Sequence, residues 1–564
     1  MTTSAIAAAT RRRPTVRGDG VIRITVTAGA RLTPAGRFRP ARCAVQRSIH
    51  STHRRCDPHP TAARECGFEL KRVDRMLRRP PGSRLERLRH PRLRNMSRRG
   101  WASRMPVIGA IASALRDLVH HSPGGVPAPT VPVTPNPRWS GSTKPAPVPR
   151  EDVVLRLPDD MYRHDGAPTE WWWHTGTLRA GDRVFGFEIN AASFTGQHFA
   201  MTQVSLSDVS AARHYERTQV YGPAPFGVFD VRHWAEGDPA KTWFARLGDP
   251  GWLVGGFSVT SGGSGYTSAP TVSIDGDGSG ASGIAVLDDH GGVTQIVLLQ
   301  PGAGYTETPA VTLTGGGGSG ATAVAVRNSV TMTAPQSDPT KDIAVHSVLV
   351  DQETLDEVVF DLVFSQQGRP FFVWGTGIEP SATEQSLEKD NYYFSYTRLD
   401  ASGTITVAGQ EYAVTGTTWM DHEYGFFGGG TSDTRVRWLL QDMQLSNGYT
   451  ISNAGMIGEG YKPEIGVPVD AFATLQDADG ELYYVSSTVT AVGELWTSPR
   501  TGNAYARQFR VEIPSFQADI TVTTRLEDQE FSVGGAPIYE GTAEPAGTFL
   551  GDDVSGDAWI EQAY

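Results

Sequence analysis

With 564 residues, 39% hydrophobic and 20% charged, the chain has the composition of a folded polypeptide and is too long for a single core. Its net charge of −10 conceals two parts: residues 1–100 hold 25 Lys and Arg against 6 Asp and Glu, the remainder 26 against 55. The acidic remainder argues against nucleic acid as a partner, because phosphates need basic surface, and no apolar run approaches the roughly 18 residues of a membrane-spanning helix.

In chain order, residues 1–104 read as a basic arm, either disordered or upstream of a true start at Met96 or Met105. Cys43, Cys56 and Cys66 all lie there, so the body needs no disulfide and no cysteine-held metal. Ser97-Arg98-Arg99-Gly100-Trp101, ahead of Pro106–Leu115, is faintly similar to a twin-arginine export signal without a clear cleavage site. Secreted, periplasmic and cytoplasmic locations stay open, as does peripheral contact with a membrane. Residues 105–150 form a Pro-rich linker, extended and unable to pack a core.

From residue 151 the pattern is β. In Arg183–Asn190, Phe185, Phe187 and Ile189 alternate and share a face. Further short strands are expected at Val345–Val350, Val358–Phe364, Thr404–Val407, Val436–Leu440, Tyr483–Val492, Phe509–Ile513 and Ile520–Thr524, with Gly, Asn and Asp turns between many of them. Many short strands and no long amphipathic helix predict an all-β fold of antiparallel barrels or sandwiches. Residues 258–328 stand apart as a two-copy Gly-rich β repeat, in which Tyr266 and Pro270 recur as Tyr305 and Pro309. The repeat reads as a tolerated surface insertion, with adhesion as the other reading.

Three clusters have side chains suited to chemistry. In Glu170-Trp171-Trp172-Trp173-His174, strand alternation puts Glu170 with Trp172 on one face and Trp171 with Trp173 on the other. A carboxyl beside an aromatic wall has its charged form disfavoured; the bland alternative is an aromatic belt with Glu170 in a structural hydrogen-bond network. In Asn391–Arg398, Tyr392, Phe394 and Tyr396 share a face with Arg398 and line a cavity or pack a barrel. In Trp419-Met420-Asp421-His422-Glu423-Tyr424, Trp419, Asp421 and Glu423 face one way and Met420, His422 and Tyr424 the other. An Asp-His-Glu run suits general acid catalysis, and it lacks the i, i+4 spacing of helical zinc sites. No metal and no cofactor is expected; neither a nucleophile elbow nor a phosphate loop is present.

These clusters occur in order with Leu495-Trp496-Thr497-Ser498-Pro499-Arg500, Tyr539-Glu540-Gly541 and the terminal Trp559-Ile560-Glu561-Gln562-Ala563-Tyr564. Together they resemble the carotenoid 1,2-hydratase (hydroxyneurosporene synthase) and AttH-like family over about residues 150–564, apart from the insertion. The resemblance implies two consecutive lipocalin-like antiparallel β-barrel domains, at 151–428 (interrupted by 258–328) and 429–564. It also implies a catalytic role for the Trp419, Asp421 and His422 segment, with Glu170 and Trp171 matching the Glu-Trp-Trp segment. The third tryptophan, the basic arm and the insertion depart from the family's pattern.

A hydratase acting on an isoprenoid or carotenoid-like alkene needs a proton donor, a cation-tolerant wall and a water. The expected catalytic set is Asp421, His422, Glu423 and Glu170, with Asp421 as the protonated acid. The expected substrate contacts are Trp171, Trp172, Trp173, Tyr392, Tyr396, Arg398, Trp419 and Tyr424, with Trp419, Trp172 and Tyr396 facing the cation. The partner is an apolar small molecule, and the oligomeric state is left open. A non-catalytic carrier of an apolar ligand, or a surface protein working through its repeat, are the rival classes.

Overall fold

A computed structural model describes residues 144–222, 234–334, 338–382, 384–427, 437–458, 461–533 and 536–563. The basic arm, the twin-arginine-like stretch and most of the 105–150 linker lie outside them. Among the described residues regular structure is β with a few short 3₁₀ turns, and no helix is long and apolar enough to cross a membrane. The chain runs through β1 (Thr169–Ala180), β2 (Arg183–Phe194), β3 (Phe199–Asp208), β4 (Arg213–Tyr221) and β5 (Phe244–Gly248). The Gly-rich stretch supplies β6 (Gly256–Ser264), β7 (Thr271–Asp275), β8 (Ser279–Leu287), β9 (Val293–Ala303), β10 (Ala310–Thr314) and β11 (Ser319–Val326). Next come β12 (Ser329–Thr333), β13 (Asp342–Val350), β14 (Glu357–Gln366), the short β15 (Phe371–Phe372), β16 (Asn391–Val407) and β17 (Gln410–Gly425). The last group is β18 (Arg437–Leu445), β19 (Thr450–Ile457), β20 (Pro468–Gln476), β21 (Leu482–Thr497), β22 (Ala504–Ile513), β23 (Ala518–Thr524), β24 (Glu530–Val533), β25 (Ala536–Phe549) and β26 (Asp552–Ala563).

The fold is all-β, as expected. The last group closes into an eight-stranded antiparallel barrel in the order β23-β22-β21-β20-β19-β18-β26-β25, with β25 pairing back onto β23. The first barrel follows the order β13-β14-β16-β17-β1-β2-β3-β4. Its ends meet without a ladder: the Glu216 amide donates to Asp351 Oδ1 (2.9 Å), the Gln352 amide to Glu216 O (3.1 Å), and buried Arg217 to Val350 O. Turn chemistry sets register. Val407 pairs with Gln410, so Ala408 (φ +48°) and Gly409 (φ +83°) form a two-residue hairpin whose left-handed backbone matches the strand twist.

Each barrel has its own core. Phe185, Phe187, Ile189, Trp172, Phe360, Phe364 and Trp243 fill the first, and Leu439, Phe509, Val511, Phe516 and Phe549 the second. In the repeat the two copies interlock: Tyr266 lies on Gly318 and Tyr305 on Gly278. A Cβ at either glycine would stand 2.6 Å from the ring's Cγ. The chain segment ahead of β1 runs along the second barrel, where Val148 donates to Leu482 O (2.7 Å), Lys144 pairs with Asp477 (3.1 Å) and Arg150 with Glu481.

Candidate functional site

Strand alternation sorts the sequence-predicted residues onto two faces of the first barrel's wall. Trp171, Trp173, Trp419, Asp421 and Glu423 point outward, toward the second barrel. Glu170, Trp172, Tyr392, Tyr396, His422 and Tyr424 point inward. The expected single catalytic set is therefore two sets, and Trp172 and Tyr396 lie on the far side of the wall from Asp421. Arg398 is in neither set. A register shift between Tyr396 and Leu399 breaks the alternation, and the guanidinium binds Leu445 O (3.0 Å) and Tyr449 O (3.3 Å) of the second barrel.

The inward set is an ion-pair chain. Glu170 accepts from His164 Nδ1 (2.8 Å), from the His164 backbone amide (3.1 Å to each oxygen) and from His422 Nε2 (3.2 Å); His164 Nε2 meets Asp160 (3.2 Å). Burial alone would lower the His164 pKa, but the two carboxylates outweigh it and raise it to about 9. Burial likewise opposes the charge on Glu170, yet the two imidazoles hold it below the usual range, while burial lowers His422. His422 stacks on Trp172 (4.5 Å) and His164 on Tyr424 (3.6 Å). Donor atoms of His164, Glu170 and His422 lie within 4.8 Å of one another, a spacing that a metal ion accepts. Without a metal, His164 and His422 both hydrogen-bond Glu170, and a metal would have to displace the His164 proton.

The outward set sits in a layer between the barrels. Register places Ser395, Asp421, Trp173, Asn190 and Gln203 side by side on β16, β17, β1, β2 and β3. One step along lies a second row, Trp419, Thr175, Glu188, Ser205 and Glu216, and on the other side an apolar row, Tyr393, Glu423, Trp171, Ala192, Met201 and Val220. The second barrel contributes Glu561, which stands beside Glu540, and Asp442, which stands beside Trp559. Thr177 bonds Thr542 (3.0 Å) and Arg179 clasps Asp557 (2.7 Å), fixing the two faces together.

This layer is buried and rich in acids. Asp421 accepts from Ser395 Oγ and from Trp419 Nε1 (2.8 Å), yet burial prevails and raises its pKa to about 6. Burial lifts Glu561 to about 7 against the Trp438 indole bond (2.8 Å). Glu423, Asp442, Glu188 and Glu540 are raised well above the carboxylate range by burial, Glu540 also by the charges of Glu188 and Glu561. Glu188 and Glu540 lie within reach of each other and of Gln203, two carboxyls sharing one site, while among the described residues no partner meets either amide atom of Asn190, Asp442 Oδ1 or Trp559 Nε1. Buried polar atoms are almost always paired, with protein groups or with ordered water. Neutral carboxyls donate protons, and the faces of Trp173 and Trp419 favour positive charge beside them.

A surface cavity of about 200 Å³, lined by Arg213, His214, Asp351, Arg500 and Asp528, opens at the β4 edge of the layer. His214 bonds Ser207, whose strand also carries Ser205 and Gln203. Sequence reasoning missed Glu188, Glu540, Glu561, Asp442 and His164. Glu188 was within reach: the alternation that put Phe185, Phe187 and Ile189 on one face put Glu188 on the other. Glu540 and Glu561 stand inside motifs that carry the family resemblance but were given no role.

The AttH-like family model matches residues 318–563. The dehydratase asqC of Emericella nidulans is 25% identical over 270 residues, 46% of this chain and 70% of that protein. Among solved structures, an AttH-type protein from Nitrosomonas europaea is 17% identical (TM-score 0.47; 74% of this chain, 98% of that one). Kievitone hydratase from Nectria haematococca is 13% identical (TM-score 0.45; 75% and 96%). Over its C-terminal 318–563 stretch, which takes in the whole second barrel and β13, β14, β16 and β17 of the first, the chain is thus similar to the AttH-like family.

Proposed function

We propose that the layer between the barrels is the active site of a hydro-lyase, adding water to, or removing it from, a carbon–carbon bond of an apolar substrate. One observation carries this: the buried Asp421 carboxyl, its pKa raised to about 6 by burial, stands in register with Trp173 and accepts from the Trp419 indole. In the hydration direction the Asp421 proton passes to one alkene carbon and the π pair forms the new C–H bond. The cation left on the neighbouring carbon is flanked by the faces of Trp173 and Trp419, each worth about 0.5–2 kcal/mol. Water forms the C–O bond, and its proton returns to a carboxylate. The unpaired amide of Asn190 suits the holding of that water. Dehydration is the same path reversed. The resemblance to asqC, named a dehydratase, supports this reaction type. The resemblance to carotenoid 1,2-hydratases supports an acyclic isoprenoid or carotenoid-like substrate.

The test is mass spectrometry of the full chain incubated with acyclic isoprenoids, carotenoids and their tertiary alcohols. Gain or loss of one water, abolished in Asp421→Asn, is the expected result. A ligand that co-elutes unchanged with wild type would overturn catalysis in favour of a carrier.

A further inference from the structure

The group formed by His164, Glu170 and His422 takes no part in the acid chemistry proposed above, which lies on the other face of the wall. Its side chains converge from three places. Glu170 and His422 share the inner face of paired strands, Glu170 opposite Tyr424 and His422 opposite Trp172, and His164 reaches them from the segment ahead of β1. Each is held from outside the group. Asp160, itself bonded by the Arg156 amide, fixes the His164 ring through Nε2 (3.2 Å) and leaves Nδ1 aimed at Glu170. The His164 amide grips both oxygens of Glu170 (3.1 Å each). His422 is wholly buried among the rings of Trp172, Phe394 and Tyr424, and its Nδ1 meets no partner among the described residues. Burying a ring with one nitrogen left over is costly, so the gain comes from the other, Nε2, which faces Glu170.

We propose that His164 Nδ1, the Glu170 carboxylate and His422 Nε2 bind one divalent transition-metal ion of the zinc class. Two imidazoles and a carboxylate are donors that such an ion takes, at about 2.0–2.2 Å, which in a tetrahedron sets the ligand atoms roughly 3.4 Å apart. Here the carboxylate lies 2.8 Å from one nitrogen and 3.2 Å from the other, and all three donors lie within 4.8 Å of one another, so small turns of the two rings admit the ion. Asp160 behind His164 is the outer carboxylate that orients a ligating imidazole and raises its basicity. The bound ion would tie the segment ahead of β1 to both β1 and β17, a structural clasp on the first barrel. The Asp-His-Glu run gave no sign of it, because Asp421 and Glu423 face away and the remaining ligands come from elsewhere in the chain.

The probe is Co²⁺, titrated into the full chain after treatment with EDTA and followed by visible absorption. The expected result is d–d bands of nitrogen and oxygen ligation, without the thiolate charge-transfer band that Cys43, Cys56 or Cys66 would add. His422→Gln should abolish these bands. Asp160→Asn should keep them and weaken Co²⁺ binding about 10- to 100-fold, while His346→Gln, a histidine of β13 bonded to Asp361, should change neither. Zn²⁺ at a hundredfold excess over its Kd should raise the melting temperature of wild type by about 5 °C and leave that of His422→Gln in place. Near-ultraviolet circular dichroism reports folding for each variant, and if His422→Gln does not fold, Asp160→Asn decides. Absence of such bands in wild type overturns the site. Bands and affinity that survive unchanged in the folded variants place the ion elsewhere and overturn it equally.

Discussion

Asp421 and His422 are neighbours in sequence and stand on opposite sides of the first barrel's wall, one bonded to Trp419 and Ser395 between the barrels, the other to Glu170 inside. The two side chains therefore serve different ends, and changing each should have a different signature.

Asp421→Asn keeps a carbonyl oxygen to accept from the Trp419 indole and removes the proton. Turnover should fall about 10²- to 10⁴-fold, with the melting temperature near that of wild type. Paired measurement of product formation and calorimetry checks this; equal losses of both would make Asp421 a structural residue.

Glu170→Ala should instead destabilise. It leaves His164 and His422 buried without their shared carboxylate, and loss of one partner of such a group costs about 3–5 kcal/mol, measurable by urea unfolding. The pH signature follows from His164. Its folded pKa of about 9 lies above its ordinary 6.5, so its contribution is full below 6.5 and is lost as pH rises toward 9. Wild type should lose that increment across this window, and Glu170→Ala should lose less of it.

The acid layer makes stability fall with rising pH at a lower range. Each raised carboxyl contributes fully below its ordinary pKa, and that contribution is lost as pH climbs through the folded value. The window is 3.8 to about 6 for Asp421, 4.5 to about 7 for Glu561 and 4.5 to about 8 for Glu216. The melting temperature should drop steadily between pH 4 and 8 within these limits. Glu540→Gln, which cannot ionise, should raise it by about 2–4 °C at pH 8 and leave it unchanged at pH 4.

Gly186 sets how closely the barrels approach. A Cβ there would lie 2.5 Å from Thr542, itself bonded to Thr177. Gly186→Val should cost about 1–3 kcal/mol by overpacking and weaken binding of apolar probes. Titration with denaturant and 1-aminoanthracene reads both.

Strand periodicity made most of the architecture legible. The runs at Val345–Val350 and Ile520–Thr524 fall inside β13 and β23, and the split of Trp171 and Trp173 from Trp172 follows from alternation alone. The bulge after Tyr396 was overlooked: the core positions pass from Tyr396 to Leu399, an odd step that strict alternation does not follow, and Arg398 changed faces as a result. The acid layer was hidden for a different reason. Glu188, Glu540 and Glu561 are far apart in sequence, and each alone reads as an exposed residue on the polar side of a strand. Only a second barrel laid against that side buries them. His164 lies outside any strand pattern, and only its folded contacts with Glu170, Asp160 and Tyr424 mark it.

The strap at 144–150 gives the chain an order of assembly. Lys144, Val148 and Arg150 emerge early in synthesis, but Asp477, Leu482 and Glu481, which hold them, follow more than 300 residues later. The segment must wait, undocked, until the second barrel has closed, so its contacts are the last latch on the molecule and should be the first to let go under tension from the N-terminal side.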